Sequence, residues 1–267
     1  MVAFPDLVQE PGERHVIYGG TRTGKSSYMD WSIRHIQRTR PDAMILIADT
    51  KPRFRAEFQT GHGPARFSTR KSAEKLYSGW QKGPMLPNSV VVDMQSTHPF
   101  RGLWNLKKHP GEVAIMQSDE PKDWRIMLEL MKHFAAKHVK RERLIVVDEG
   151  MDFYQRNSLG IDPRNDVILR AARAGGERNI GLMFGAHRPY GIPPLLNTLS
   201  SRVTLFHLRF LRDMQYLQGM GIPEDEEPPD GNYIFKQYQI APGGVVSDPV
   251  SSRLTLPDWY LDQLSAT

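Results

Sequence analysis

Cysteine is absent from this sequence of 267 residues. A chain without thiols forms no disulfide, carries out no thiol catalysis and offers no thiolate ligand to a metal. Long apolar runs are absent as well, since none approaches the roughly 18–20 residues that cross a bilayer. Residues 1–6 show no basic segment followed by an apolar stretch, which predicts that no secretory signal is present. Together these absences favour an intracellular protein without a membrane anchor.

The general composition is that of a globular protein. Hydrophobic residues make up 39% of the chain and charged residues 24%, which is ordinary for this class. A chain of this length suits one large domain or a domain with insertions, and it is long enough to bury a substantial core.

The charge of the chain is unevenly distributed. Its formal net charge is +5, with 35 basic and 30 acidic residues. Setting aside five clustered acids leaves 35 basic against 25 acidic residues, an excess of +10; these acids are Glu224, Asp225, Glu226, Glu227 and Asp230. Such an excess favours a polyanionic partner, because clustered lysines and arginines release counterions from a phosphate backbone. A well-solvated basic surface is the alternative.

Apolar runs alternate with helical patterns along most of the chain. The predicted strands are residues 15–19, 43–48, 144–147, 180–186, 203–210 and 233–235, and the predicted helices are residues 25–38, 121–139 and 163–178. The run at 144–147 shows no polar alternation, which is typical of a strand covered on both faces. Strand–helix alternation of this kind predicts an α/β fold with a mostly parallel central sheet flanked by helices.

The pattern is less regular between residues 51 and 120. Three short apolar segments, 66–68, 90–93 and 113–116, are separated by proline and glycine. We interpret this region as an elaboration of the sheet inside a single domain that covers residues 1–267. The tail from about residue 242 is predicted to be a loop with a short amphipathic segment near residues 259–261.

One segment matches the phosphate-binding pattern G-x-x-x-x-G-K-[ST] at every position. An apolar strand precedes it and a helical pattern follows it, which is the context that the motif requires. The glycines let backbone N–H groups point inward, and the helix adds its positive N-terminal end, so the loop binds phosphate. The predicted ATP site consists of Gly19, Gly20, Thr21, Arg22, Thr23, Gly24, Lys25, Ser26 and Ser27.

A hydrolytic site needs further groups around the phosphates. Lys25 is predicted to reach the β- and γ-phosphates, and the hydroxyl of Ser26 is a predicted ligand of Mg²⁺. The apolar strand 144–147 ends in two acids, of which Asp148 is predicted to organise the Mg²⁺ ion. Glu149 is the predicted general base that polarises the attacking water. The alternative for Glu149 is a solvated acid at a strand end.

The residues on both sides of the strand at 180–186 indicate one family. Residues 170–179 read R-A-A-R-A-G-G-E-R-N, and His187-Arg188-Pro189 follows the strand. This segment resembles the FtsK/HerA superfamily of ring-forming, DNA-pumping ATPases, in which an arginine-bearing helix leads to an apolar strand capped by a polar residue and Arg-Pro. The polar residue of the family is usually glutamine. Here it is His187, whose imidazole can still donate to the γ-phosphate or to the lytic water.

The resemblance covers residues 16–210 and implies a P-loop NTPase fold of the RecA/FtsK-HerA type, with ATP and Mg²⁺ as cofactors. It also implies a hexamer or pentamer ring in which one subunit supplies an arginine finger to the ATP of its neighbour. Arg173 matches the helix arginine of the family best, and Arg170 and Arg178 are alternates. Otherwise these arginines coat the helix or line a DNA channel.

Within the superfamily, the short length and the lack of membrane helices resemble the genome-packaging ATPases of membrane-containing icosahedral DNA viruses. This narrower resemblance implies an ATP hydrolase that translocates double-stranded DNA. It also implies capsid vertex or portal proteins as partners and the host cytoplasm as the location. Two other functions stay open: an ATPase that drives protein export or filament or virion assembly, and a slow nucleotide-dependent switch.

Two further features allow more than one interpretation. Asp49 and Lys51 follow the second strand, and we interpret them as parts of a structural turn rather than as ligands. Residues 51–82 hold eight lysines and arginines with aromatic residues nearby. This basic stretch either contacts DNA or is a solvated surface.

Overall fold

The structure is a computed structural model that describes residues 8–51, 54–58, 85–92, 113–118, 120–136, 141–154, 166–208, 211–223, 227, 229–242 and 244–255. The strands in chain order are β1 (Arg14–Tyr18), β2 (Met44–Asp49), β3 (Arg55–Phe58), β4 (Met85–Val91), β5 (Val113–Gln117), β6 (Arg143–Val147), β7 (Ile180–Ala186), β8 (Arg202–Leu205), β9 (Ile234–Gln239) and β10 (Val250–Arg253). The helices are α1 (Lys25–Thr39), α2 (Pro121–Ala136), α3 (Met151–Tyr154), α4 (Val167–Ala174), α5 (Pro194–Thr198) and α6 (Leu211–Gln218), with a short 3-10 helix at Pro189–Gly191. Within these described ranges, no helix is long and apolar enough to cross a membrane.

These strands form one sheet in the order β10-β9-β8-β1-β7-β6-β2-β5-β4-β3. The eight strands from β8 to β3 in this order run parallel to one another. β9 pairs antiparallel with β8, and β10 pairs antiparallel with β9, so the sheet has one antiparallel edge. The mostly parallel α/β sheet predicted from the sequence pattern is confirmed.

The central strands are covered on both faces. In β2 the side chains of Leu46 and Ala48 pack into one apolar cluster, whereas Ile45 and Ile47 pack into another. This division follows from the two-residue period of an extended chain. Side chains of α2 and α4 belong to the first cluster and side chains of α1 to the second. Burial of both faces explains why these strands are continuous apolar runs in the sequence.

Helix α1 begins inside the phosphate-binding motif, at Lys25. Its N-cap, Gly24, has a φ of 108°, a left-handed conformation that side chains rarely adopt, so glycine is required here. Met29, Ile33 and Ile36 are buried against the sheet at helical spacing. Each of these side chains contributes about 1.5–3 kcal/mol by burial. The packed helix therefore fixes the orientation of the loop that precedes it.

Some local predictions differ from the structure. The strand predicted at 203–210 already ends at Leu205 in β8, and helix α6 begins at Leu211. The tail, predicted as a loop from about residue 242, contains β10. β3 is a strand that the sequence pattern did not indicate. β3 and β10 lie at the two edges of the sheet, where pairing with a neighbouring backbone orders a segment that has no apolar pattern. The predicted segments at 66–68 and 259–261 lie outside the described residues.

Candidate active site

Strands β1, β7 and β6 lie side by side and run parallel, so their carboxyl ends share one edge of the sheet. The phosphate-binding motif follows β1, His187 follows β7, and Asp148 and Glu149 follow β6. In open α/β sheets, ligands bind at this edge. The sheet order thus brings together three segments that are far apart in the sequence.

Backbone hydrogen bonds anchor the phosphate-binding loop at its base. The amide of Gly19 donates to the carbonyl oxygen of Ala186 (3.2 Å), and the amide of Gly20 donates to that of His207 (3.1 Å). These two glycine amides are therefore already bonded within the protein. The phosphate binding predicted for backbone N–H groups would therefore involve residues later in the loop.

Glu149 lies at the centre of a buried charged cluster. Its side chain is 0% exposed, and Oε2 lies 2.9 Å from Nε2 of His187. The Nζ atoms of Lys25 and Lys51 each lie 3.5 Å from the same oxygen. The other oxygen, Oε1, accepts a hydrogen bond from the backbone amide of His187 over 3.3 Å. Glu149 is therefore not a solvated acid, because nitrogen donors from three other segments hold its carboxylate.

The surroundings of Glu149 determine its charge. Burial by itself raises the pKa of the carboxyl group. The hydrogen bond from His187 and the charges of Lys25, His187 and Lys51 outweigh burial and lower the pKa to about 2. Glu149 is accordingly ionised at neutral pH and able to accept a proton. An acid with so low a pKa is a weak base, so the neighbouring cations also limit its reactivity in this arrangement.

The lowered pKa of Glu149 predicts how stability depends on pH. A folded-state pKa of about 2, below the ordinary 4.5, gives stability that is fully present above pH 4.5 and is lost as the pH falls through the folded-state value. Relative to the Glu149→Gln variant, the wild-type free energy of unfolding should fall by about 1.4 kcal/mol per pH unit across that window. Urea unfolding of both proteins, within the window and above it, measures the difference. If the difference in unfolding free energy between the two proteins did not change with pH, the lowered pKa of Glu149 would be contradicted.

Asp49 and Lys51, interpreted from the sequence as parts of a turn, have different surroundings. Oδ2 of Asp49 accepts hydrogen bonds from the amide of Phe54 (2.9 Å) and from Nε2 of Gln117 (3.0 Å), so Asp49 does support the turn after β2. Lys51 instead brings its Nζ to the carboxylate of Glu149. Sequence reasoning therefore missed a candidate site residue. The position of Lys51 after β2 becomes informative only once β2 is known to lie next to β6.

The two residues predicted to hold Mg²⁺ also lie together. The Ser26 hydroxyl donates to Oδ1 of Asp148 over 3.4 Å, and Asp148 is fully buried. A hydroxyl and a carboxylate offer only oxygen ligands, which suit a hard cation such as Mg²⁺. In the described part of the chain, no group of three or more acids and histidines could hold a metal. Ser26 and Asp148 therefore fit an ion whose other ligands are phosphate oxygens and water.

Arg188, the arginine of the Arg-Pro pair, is bonded to a helix. Its Nε donates to Oδ1 and Oδ2 of Asp213, over 3.3 Å and 3.1 Å. Asp213 belongs to α6 and is buried. The pair therefore ties the end of β7 to α6 and supports the position of His187, the preceding residue.

The predicted arginine finger lies in the last turn of α4. Asp166 caps this helix by accepting hydrogen bonds from two backbone amides of its first turn. The side chains of Arg173, Arg170 and Arg178 are all exposed. Among the described residues, no hydrogen bond or ion pair holds the Arg173 side chain. None of these three arginines contacts Glu149, and a finger role on the ATP of a neighbouring subunit stays a prediction.

Comparison with solved structures shows where the same fold occurs. The genome packaging NTPase B204 from Sulfolobus turreted icosahedral virus 2, in complex with sulfate, is 12% identical with a TM-score of 0.56, covering 91% of this chain and 98% of that chain. The same NTPase in complex with AMPPCP is 13% identical with a TM-score of 0.52, covering 91% of this chain and 100% of that chain. The cytoplasmic domain of the Thermomonospora curvata type VII secretion ATPase EccC is 12% identical with a TM-score of 0.50. It matches over 94% of this chain and 27% of that chain.

No family model and no curated protein matches the chain. At identities of 12% and 13%, the structural likeness establishes the fold alone. The chain shares the P-loop NTPase fold of these proteins, a mostly parallel sheet flanked by helices, and the predicted fold class is confirmed. The roles of the individual site residues stay predictions.

Proposed function

We propose that the chain hydrolyses ATP and uses the energy to translocate double-stranded DNA, as a viral genome-packaging motor. The observation that carries the ATP-hydrolysis part of the proposal is the carboxylate of Glu149, buried at the end of β6 and held by Lys25, Lys51 and His187. Lys25 comes from the phosphate-binding loop itself. A P-loop whose lysine lies beside a buried carboxylate is suited to phosphoryl transfer to water.

Hydrolysis on this proposal is an in-line displacement. Water attacks the γ-phosphorus, and Glu149 takes a proton from that water. The bond between this phosphorus and the bridging oxygen breaks, and the bonding electrons stay with ADP. Lys25 binds the β- and γ-phosphates and offsets the charge that develops on them. A Mg²⁺ ion at Ser26 and Asp148 would add positive charge next to the phosphate oxygens.

Lys25 links nucleotide binding to the basicity of Glu149. Its Nζ donates to the carbonyl oxygen of Asp148 over 3.0 Å and lies 3.5 Å from Oε2 of Glu149. Bound phosphates attract this ammonium group and draw it away from Glu149. One of the positive charges that lower the pKa of Glu149 is then more distant. ATP thereby makes Glu149 a stronger base when the attacking water is in place.

Charge and fold support double-stranded DNA as the substrate. The excess of +10 outside the acidic segment 224–230 suits a phosphate backbone. The chain also shares its fold with a viral genome packaging NTPase. On this proposal, six or five subunits form a ring around DNA and contact phosphates without reading the sequence. Capsid vertex or portal proteins would hold the ring in the host cytoplasm.

ATP turnover should rise when duplex DNA is added to the assembled protein at low salt, because a translocase couples its cycle of ATP hydrolysis to movement along bound DNA. DNA binding should show little sequence preference. The logarithm of affinity should fall against the logarithm of salt concentration with a slope of about −0.9 per neutralised phosphate. Turnover assays with and without duplex DNA, and binding titrations over a salt series, measure these effects. Active rings that neither bind DNA nor respond to it would favour the protein-assembly ATPase instead.

The basic stretch at residues 51–82 provides a matched surface test, although most of it lies outside the described residues. The test set reverses the charge at Arg53, Arg55, Arg70 and Lys71. If the stretch lines a DNA channel, DNA stimulation should be lost while basal turnover is kept. The control set also reverses four charges, at exposed residues of α1, α2 and β10: Arg38, Arg125, Lys132 and Arg253. DNA stimulation that survives in the test set would assign the stretch to ordinary surface.

A further inference from the structure

Tyr233 combines an exposed aromatic ring with a strained backbone beside the phosphate-binding loop. Its φ is 63°, a left-handed value that is rare for a bulky residue. The residue is 42% exposed, so burial of its ring does not explain the strain. Residues in such conformations persist only where the surrounding structure fixes them, and they cluster at ligand sites.

Two backbone hydrogen bonds fix Tyr233 in this conformation. Its amide donates to the carbonyl oxygen of Thr23 over 2.8 Å, and its own carbonyl accepts from the amide of Leu254 over 2.6 Å. The ring also lies directly against Gly24, where an added Cβ would be 2.9 Å from Cδ1 of Tyr233. The loop and Tyr233 therefore form one unit, and the ring is presented beside the helix end of the loop.

The sheet order places Tyr233 and Glu149 on opposite sides of the loop. Strands β7 and β6, which precede His187 and the acids, lie on one side of β1. Strands β8 and β9 lie on the other side, and Tyr233 directly precedes β9. For the proposed hydrolysis, a bound triphosphate must direct its γ-phosphate toward Glu149. The nucleoside at the other end of that chain of phosphates therefore leaves the loop on the β8–β9 side.

We propose that Tyr233 is the surface on which the base of the nucleotide stacks. This inference rests on the proposed function and defines its ligand class more closely as a purine nucleoside triphosphate. A purine presents a larger ring system to a single aromatic face than a pyrimidine does. Aromatic stacking tolerates different bases because each has a π face, so ATP and GTP should bind similarly and UTP more weakly.

Titrations with ATP, UTP and inorganic tripolyphosphate, each with Mg²⁺, separate base binding from phosphate binding. In Tyr233→Gly the affinity for ATP should fall about 5- to 100-fold, the effect of losing one base–aromatic stack. The affinity for tripolyphosphate should stay unchanged, and the preference for ATP over UTP should shrink. Tyr233→Phe, which keeps the ring, should bind ATP as the wild type does. Glycine adopts a positive φ without strain, so Tyr233→Gly should fold, and thermal melting beside the wild type checks that it does.

The outcomes distinguish the base contact from the site as a whole. Unchanged ATP affinity in Tyr233→Gly overturns the stacking role alone. Equal losses of affinity for ATP and tripolyphosphate also overturn it, because Tyr233 would then shape the loop rather than hold the base. Lys25→Ala gives the reference for a lost phosphate site. A wild-type chain that binds neither ligand contradicts the proposed function, and this inference with it.

Discussion

Glutamine in place of Glu149 should lower the rate of ATP hydrolysis by about 10²–10⁴-fold while ATP stays bound, because the carboxamide keeps the shape of the side chain but cannot take the proton. Its oxygen can still accept the hydrogen bond that the backbone amide of His187 now donates over 3.3 Å. The substitution also removes a negative charge 3.5 Å from Lys25, which lessens the repulsion of bound phosphates. The variant should therefore trap ATP rather than fail to bind it.

Single-turnover hydrolysis and equilibrium ATP binding measure the two halves of this prediction. Lys25→Ala is the contrasting variant, since it removes the cation that meets the β- and γ-phosphates and should lose binding. Glu142→Gln is the matched control. It makes the same chemical change at a partly buried acid that pairs with Arg40 over 2.7 Å, away from the Glu149 cluster. Hydrolysis by Glu149→Gln at the wild-type rate would refute its assignment as the general base.

The centre of the sheet was predictable because its strands are buried on both faces and leave continuous apolar runs. β7 begins and ends where its pattern predicts, at Ile180 and Ala186. The edge strands were not predictable, since pairing with a neighbouring backbone orders them. In β10, Ser251 and Ser252 separate Val250 from Arg253, and this sequence shows no apolar alternation. Such a segment becomes a strand only because β9 lies next to it.

The candidate site was predictable where one motif or one strand end contains the residues. Lys25 and Ser26 have fixed positions in the phosphate-binding pattern, and Glu149 is the second of two acids that follow an apolar run. Lys51 and Tyr233 belong to no spaced pattern. They reach the site because β2 lies next to β6 and because β8 and β9 lie beside β1, and this order of strands is a property of the tertiary fold. Local sequence therefore indicated the candidate residues of the motif and of the strand end, but not Lys51 and Tyr233 beside them.

Alanine in place of Arg173 should lower the turnover of the assembled protein by about 10³–10⁵-fold, the effect of removing an arginine finger, with ATP affinity unchanged. The side chain is exposed in the last turn of α4, and no described residue of its own subunit holds it. The Arg173 side chain is therefore available to contact the ATP of a neighbouring subunit. Because such a finger acts only across an interface, wild-type turnover per subunit should also rise with protein concentration.

Mixed rings measure whether Arg173 acts on the neighbouring ATP. Rings formed from Arg173→Ala and Lys25→Ala subunits should regain part of the activity, since at some interfaces the intact loop of one variant meets the intact arginine of the other. Arg170→Ala and Arg178→Ala are matched controls, because each removes another exposed arginine from the same segment, and both should keep turnover. Loss of turnover in one of these controls, with Arg173→Ala active, would move the finger to that arginine. A mixture no more active than Arg173→Ala alone, in rings shown to exchange subunits, would mean that Arg173 does not serve a neighbouring site.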